Sequence, residues 1–126
     1  MLLISVKNGL GLMAGDIGNA LFTSPCAEKI WSCCSAEFGP ICGAVVVPKR
    51  ALYGLKTASH SLHKYFGDFL RYPGFTPSIA YQDLWIRKSD KYEGYDYIAT
   101  HVDDVILFAK NPSRYIHDID MTFKVR

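Results

Sequence analysis

The chain has 126 residues, enough for one domain and short for two. A composition of 49% hydrophobic, 13% aromatic and 21% charged residues excludes a disordered tail or a low-complexity linker. Fourteen basic against twelve acidic side chains leave +2, too slight a bias to signal nucleic acid by itself.

In chain order, residues 1–7 followed by Asn8-Gly9 read as the last turns of a helix closed by a left-handed cap. That opening is too short for a signal-peptide core and has no basic residue before it. No apolar run approaches the roughly 18 residues of a membrane helix. The expectation is a soluble intracellular domain that is not secreted and has no membrane partner. Residues 10–14 make a short apolar strand that delivers Asp16 at its end, and Gly15 and Gly18 flank that aspartate where backbone must come close to something else. Residues 29–33 and 44–47 read as two further strands separated by a Gly39-Pro40 loop. Cys26, Cys33, Cys34 and Cys42 form no C-x-x-C pair, so reduced thiols are expected rather than a zinc ribbon.

From residue 58 to 71 the apolar positions Leu62, Tyr65, Phe66, Phe69 and Leu70 make the stripe of an amphipathic helix, ended by Pro73-Gly74. His60 and His63 on that helix read as a solvated face. Residues 84–86 look like a strand, with a polar turn over 88–94. Residues 95–102 and 105–109 are two strands with Asp103-Asp104 between them. Asn111-Pro112-Ser113 opens a last helix whose Ile116, Ile119 and Phe123 share one face. This order predicts an α+β fold, an antiparallel sheet with helices packed on one face.

The informative feature is Asp103-Asp104, bracketed by apolar strand residues. Neighbouring side chains on a regular strand point to opposite faces, so both reach one site only if a tight turn intervenes. Two carboxylates so close to a core repel each other and are partly desolvated, which a shared proton or a hard divalent cation would relieve. Asp16 also ends an apolar strand. A third carboxylate converging on the pair would suit a two-metal site, whose ions sit about 3.5–4 Å apart and serve in-line nucleotidyl transfer. Spacing alone does not distinguish that from a solvated hairpin turn and a separate strand-end aspartate.

Three strings then occur in order: Ala14-Gly15-Asp16-Ile17-Gly18-Asn19-Ala20, Arg50-Ala51-Leu52-Tyr53-Gly54-Leu55-Lys56 and His101-Val102-Asp103-Asp104. They resemble the successive motifs of the reverse transcriptase of copia-type retrotransposons. Trp85 before the hairpin and Phe123-Lys124 near the end also fit, so the resemblance covers nearly the whole chain. It implies a polymerase palm with a ferredoxin-like core, occupying residues 1–126. The implied reaction is templated addition of deoxynucleotides to a primer 3′-hydroxyl. Its partners would be an RNA or DNA template with primer and dNTPs, and the integrase and RNase H of a Pol polyprotein. Its setting would be a cytoplasmic virus-like particle or the nucleus.

By the same resemblance, Asp16 and Asp103 would be shared ligands of two Mg²⁺ ions, or Mn²⁺, with the Ile17 carbonyl beside them and Asp104 as a third, weaker ligand. Tyr53, Gly54 and Lys56 would line the nucleotide pocket and the template side, with Lys49, Arg50 and Lys64 near template phosphates. The aromatic gate against a ribose 2′-hydroxyl would fall at position 21, which is Leu21, with Phe22 one place late. His101 stands where Tyr is common, Ser59-His60 where Pro-Arg is frequent, and Tyr81-Gln82 where Asp-Pro is usual. The resemblance starts inside the helix before the first motif and stops before the thumb. Most of the fingers, the thumb and RNase H are therefore expected to be missing, leaving little or no polymerase activity in the isolated chain.

Two other readings compete. A decayed or domesticated retroelement fragment would act as a non-catalytic nucleic-acid-binding or interaction module. Gly9-Leu10-Gly11-Leu12-Met13-Ala14 also spells G-x-G-x-x-A, a dinucleotide fingerprint only if a long helix follows. Gly15, Gly18 and Pro25 interrupt any such helix, so a helix cap leading into a strand is expected there.

Overall fold

The computed structural model describes residues 1–126. Helix α1 (Leu2–Lys7) closes with two reverse hydrogen bonds, Gly9 N–H to Val6 O at 3.1 Å and Leu10 N–H to Ser5 O at 2.8 Å. That closure requires a left-handed residue, and Gly9 supplies it at φ +59° without a Cβ penalty. The chain passes directly into β1 (Gly11–Asp16), so the G-x-G-x-x-A string is a cap followed by a strand.

β1 is an edge of a five-stranded sheet in the order β1-β7-β6-β5-β4, with every pair antiparallel. Its other strands are β4 (Thr76–Pro77), β5 (Leu84–Lys88), β6 (Tyr95–His101) and β7 (Asp104–Ala109). Trp85, Ile98, Leu107 and Met13 stand in register across β5, β6, β7 and β1 and so share one face. Trp85, Ile98, Leu107 and the neighbouring Val105 join one hydrophobic cluster with Leu62, Phe66 and Leu70 of α3 (Ala58–Arg71) and Ile119 and Phe123 of α4 (Pro112–Phe123). The protein is thus α+β, with α3 and α4 burying one face of an antiparallel sheet. The opposite face carries Leu12 and Ile106 partly exposed, with Asp16, Asp104 and His101 at one end. No helix is long and apolar enough to cross a membrane.

α3 has the bounds its apolar stripe predicts. Phe66 is buried and meets Phe123 edge-on at 5.0 Å, while Tyr65 lies at the rim, 39% exposed. Gly67 sits in the middle of this helix, a position that normally costs about 1 kcal/mol relative to Ala. A Cβ there would stand 2.8 Å from Cη2 of Trp85, so the glycine lets the indole of β5 lie flush against the helix.

Three features depart from the sequence expectation. The strands expected over 29–33 and 44–47 shrink to β2 (Ser32–Cys33) and β3 (Val45–Val46), a two-stranded ribbon outside the main sheet. Trp31, Val45 and Val47 are more than half exposed there, since two strands alone bury little. A four-residue helix, α2 (Ala20–Thr23), follows Asp16, entered through Asn19 in the left-handed region at φ +54°. The two-residue β4, which carries a proline, completes the far edge of the sheet, where Pro is tolerated.

Candidate metal centre

Asp16 is the last residue of β1 and Asp104 the first of β7, and they are direct partners in the ladder, on the same face. His101 pairs with Asp104 across β6 and β7, which leaves Val102 and Asp103 as a two-residue hairpin loop. Val102 holds φ +54°, a left-handed conformation that costs a β-branched residue about 1–3 kcal/mol. The surroundings enforce it, since the loop is tied down where Asp103 O accepts the Ile17 N–H at 2.8 Å. The tight turn brings the Asp103 carboxylate to the side already occupied by its neighbour. One carboxylate oxygen from each of Asp16, Asp103 and Asp104 lies within 4.8 Å of the others.

A strap formed by the C-terminal residues closes the other edge of β1. Asp16 N–H donates to Arg126 O at 3.0 Å, Arg126 N–H returns to Asp16 O at 2.8 Å, and Gly18 N–H donates to Lys124 O at 3.1 Å. A Cβ on Gly15 would overlap Cγ1 of Val125, and one on Gly18 would stand 3.2 Å from Lys124 O. The two glycines flanking Asp16 are therefore the places where this strap comes close. Their spacing signals the close approach, but the partner segment is more than a hundred residues away in the chain.

Asp16 and Asp104 are exposed and Asp103 half-buried. None of the three ion pairs in the molecule involves them. A donor set of three unpaired carboxylates, all hard oxygen atoms converging from two strand ends and a turn, fits a hard divalent cation such as Mg²⁺ or Mn²⁺.

The remaining site residues named from sequence are dispersed. The Ile17 side chain is core at 2% exposure, and its carbonyl accepts Ala20 N–H at 3.1 Å to start α2. Leu21 is also core, 5% exposed, and does not stand at an open gate. Its neighbour Phe22 is the exposed residue, because a one-residue step on a helix turns the side chain by about 100°. Phe22 meets Tyr53 edge-on at 5.5 Å, which ties α2 to the 50–56 loop. Tyr53 and Lys56 are exposed, and Gly54 holds φ +90° with nothing within 4 Å of where a Cβ would stand. The loop is anchored by Ala51 N–H to Ser24 O at 3.0 Å and by Arg50 Nη1 to Thr23 O at 2.8 Å.

Sequence reading missed Glu28. Its carboxylate accepts both the N–H and the hydroxyl of Thr57, at 2.8 and 2.9 Å, and so caps the start of α3 from a distant segment. Those hydrogen bonds, with nearby Lys56, hold its carboxyl below the usual range. Nothing local in the sequence marks it, since the partner lies 29 residues on. No protein-family model, curated protein or solved structure matches this chain.

Proposed function

We propose that the chain is the palm of an RNA-directed DNA polymerase like those of copia-type retrotransposons, which extends a primer 3′-hydroxyl on an RNA or DNA template. The observation that carries this reading is the convergence of Asp16 with Asp103 and Asp104 at the open end of an antiparallel sheet whose other face is covered by helices. A ferredoxin-like palm needs that arrangement. The first and third of the ordered strings add to it, because they carry the three aspartates at the shared end of β1, β6 and β7.

In this reading Asp16, Asp103 and Asp104 hold two Mg²⁺ ions. When bound, the ions lower the pKa of the attacking 3′-hydroxyl and take up charge on the departing pyrophosphate. The chain's own part is positioning. The Val102–Asp103 turn, locked to Ile17, fixes one carboxylate; the β1–β7 ladder fixes the other two; the strap at Lys124–Arg126 prevents β1 from fraying at Asp16. Phe22 and Tyr53 offer an aromatic surface beside the site's motif loop, suited to stacking against a base or sugar.

Mn²⁺ titration followed by electron paramagnetic resonance tests it. Saturable binding should be lost when Asp16 and Asp103 are both replaced by Asn. Binding that is unchanged in that variant would remove the polymerase reading and favour a non-catalytic module.

A further inference from the structure

A second site lies at the opposite end of β6 from the acidic cluster, between the turn that joins β5 to β6 and the start of α4. Asp96 stands near one end of that strand and His101 at the other, about 17 Å apart along it. Four cationic side chains, Arg87, Lys91, Lys110 and Arg114, and two carboxylates, Asp90 and Asp96, line a cavity of about 50 Å³ there. Both carboxylates are already satisfied. Asp96 is buried, and its two oxygens accept the Tyr92 and Tyr115 hydroxyls at 2.7 and 2.8 Å. Asp90 is held by Arg87 in an ion pair. The cations converge on the cavity. Arg87 Nη1 donates to the Tyr115 hydroxyl at 3.3 Å and Nη2 to Asp90, both of them cavity-lining groups, and the guanidinium has N–H groups left over. The charge of Arg114 acts on the same Tyr115 hydroxyl. Lys110 Nζ is held 5.7 Å from the centre of the Tyr92 ring by the carbonyls of Asn8 and Gly9, which take two of its three N–H groups. Lys91 and Arg114 enter none of the molecule's three ion pairs. Arg87 and Arg114 also border a wider groove at Phe69 and Met121, which gives the substituent of a larger ligand a way out to solvent.

Size and charge decide the ligand. A water takes roughly 10–15 Å³ of such space, so the cavity holds about four oxygen-sized atoms, which is one tetrahedral oxyanion and not a ring. Four cations against two carboxylates leave +2 on its lining. A phosphate monoester carries about −1.5 to −2 at neutral pH and matches that charge, whereas a phosphodiester carries a single charge. We infer that this cavity binds a phosphate dianion, either free or as the end group of an ester. Arg114 and Lys91, the cations outside any ion pair, supply charge-assisted hydrogen bonds to its oxygens, with Arg87 and Lys110 adding charge behind them. None of the three clustered aspartates lines the cavity, so the inference goes beyond the polymerase reading and does not depend on it.

The test titrates ¹⁵N-labelled full chain, free of divalent cation, with inorganic phosphate, methyl phosphate and dimethyl phosphate. Binding is followed at the Lys91 and Tyr92 amides and at Arg114 Nε–H. Phosphate and methyl phosphate should shift these resonances saturably, and dimethyl phosphate should not. Whichever of the first two binds more tightly names the source, free ion or ester, and either supports the dianion. Arg114→Gln should weaken binding roughly tenfold, the loss of one charge-assisted contact. Lys88→Gln makes the same change of net charge at an exposed residue outside the cavity and should leave binding unchanged. Resonances unmoved by phosphate would overturn the proposal, as would dimethyl phosphate binding as tightly as methyl phosphate. Equal weakening by the two variants would also overturn it, since a diffuse positive field would then be enough. The absence of divalent cation keeps these outcomes separate from any result at the acidic cluster.

Discussion

Asp16 and Asp104 face each other directly across the β1–β7 ladder, two carboxylates on opposed residues of neighbouring strands. Like charges so placed destabilise a sheet by about 0.2–1 kcal/mol, and the adjacent Val102 adds backbone strain. The end of the sheet therefore stores unfavourable energy that a bound cation would relieve. In metal-free buffer, Asp104→Asn should raise stability by a few tenths to about 1 kcal/mol in urea unfolding. Millimolar Mn²⁺ should raise the melting temperature of the original chain and raise the variant's by less. A variant that is less stable without metal would contradict the repulsion.

Gly15 makes room for the strap. In Gly15→Ala the new methyl overlaps Val125, a stiff β-branched side chain held by the Ile17–Val125 bridge. Relief requires the strap to lift, which should cost about 1–3 kcal/mol. Amide exchange at Asp16 and Gly18, whose N–H groups bond to the strap, should accelerate more than exchange within β6.

Gly67 poses opposing effects. Alanine gains about 1 kcal/mol of helix propensity but drives a Cβ to 2.8 Å from the Trp85 ring. The indole is wedged against the sheet, so overpacking prevails, and Gly67→Ala should lose about 1–2 kcal/mol net. Thermal melts give the sign. A stabilised variant would mean that the indole has room to move.

Asp96 is 4% exposed and accepts the hydroxyls of Tyr92 at 2.7 Å and Tyr115 at 2.8 Å. Burial first, then the hydrogen bond and charge of Asp96, push Tyr115 up to about 12 and Tyr92 higher still. A raised phenol pKa stabilises the fold fully below the ordinary value of 10.0, and that contribution fades as pH climbs towards 12. Absorbance titration of the phenolates should show two late components, and Asp96→Asn should bring them to lower pH.

Glu28 has the opposite sign. Its carboxyl is lowered from 4.5, so its cap on α3 contributes above that pH and is lost as pH falls through the lower, folded value. Amide exchange at Thr57 and the first turn of α3 should rise in acid, and Glu28→Gln should remove most of that pH dependence.

Much of the frame is legible in the chain itself. α3, α4 and the β6–β7 hairpin follow from apolar spacing punctuated by Pro and Gly, because their periodicity is set by backbone geometry and their buried faces are long. The aspartates stand out for the same reason, as charges interrupting apolar strands. Strand lengths at residues 29–47 were not legible, since β-propensity yields structure only where a second layer covers it. Nor was the inward turn of Leu21, which depends on where a four-residue helix begins.

Sequence by itself determined the helices that pack, the strands they cover and the three carboxylates that end or interrupt those strands. The tertiary structure alone decided that Asp16 pairs with Asp104, that residues 124–126 lie over Gly15 and Gly18, and that Glu28 caps α3. The physical reason is range. Local pattern encodes which face of an element is apolar, whereas the identity of what meets that face is set by contacts between segments far apart in the chain.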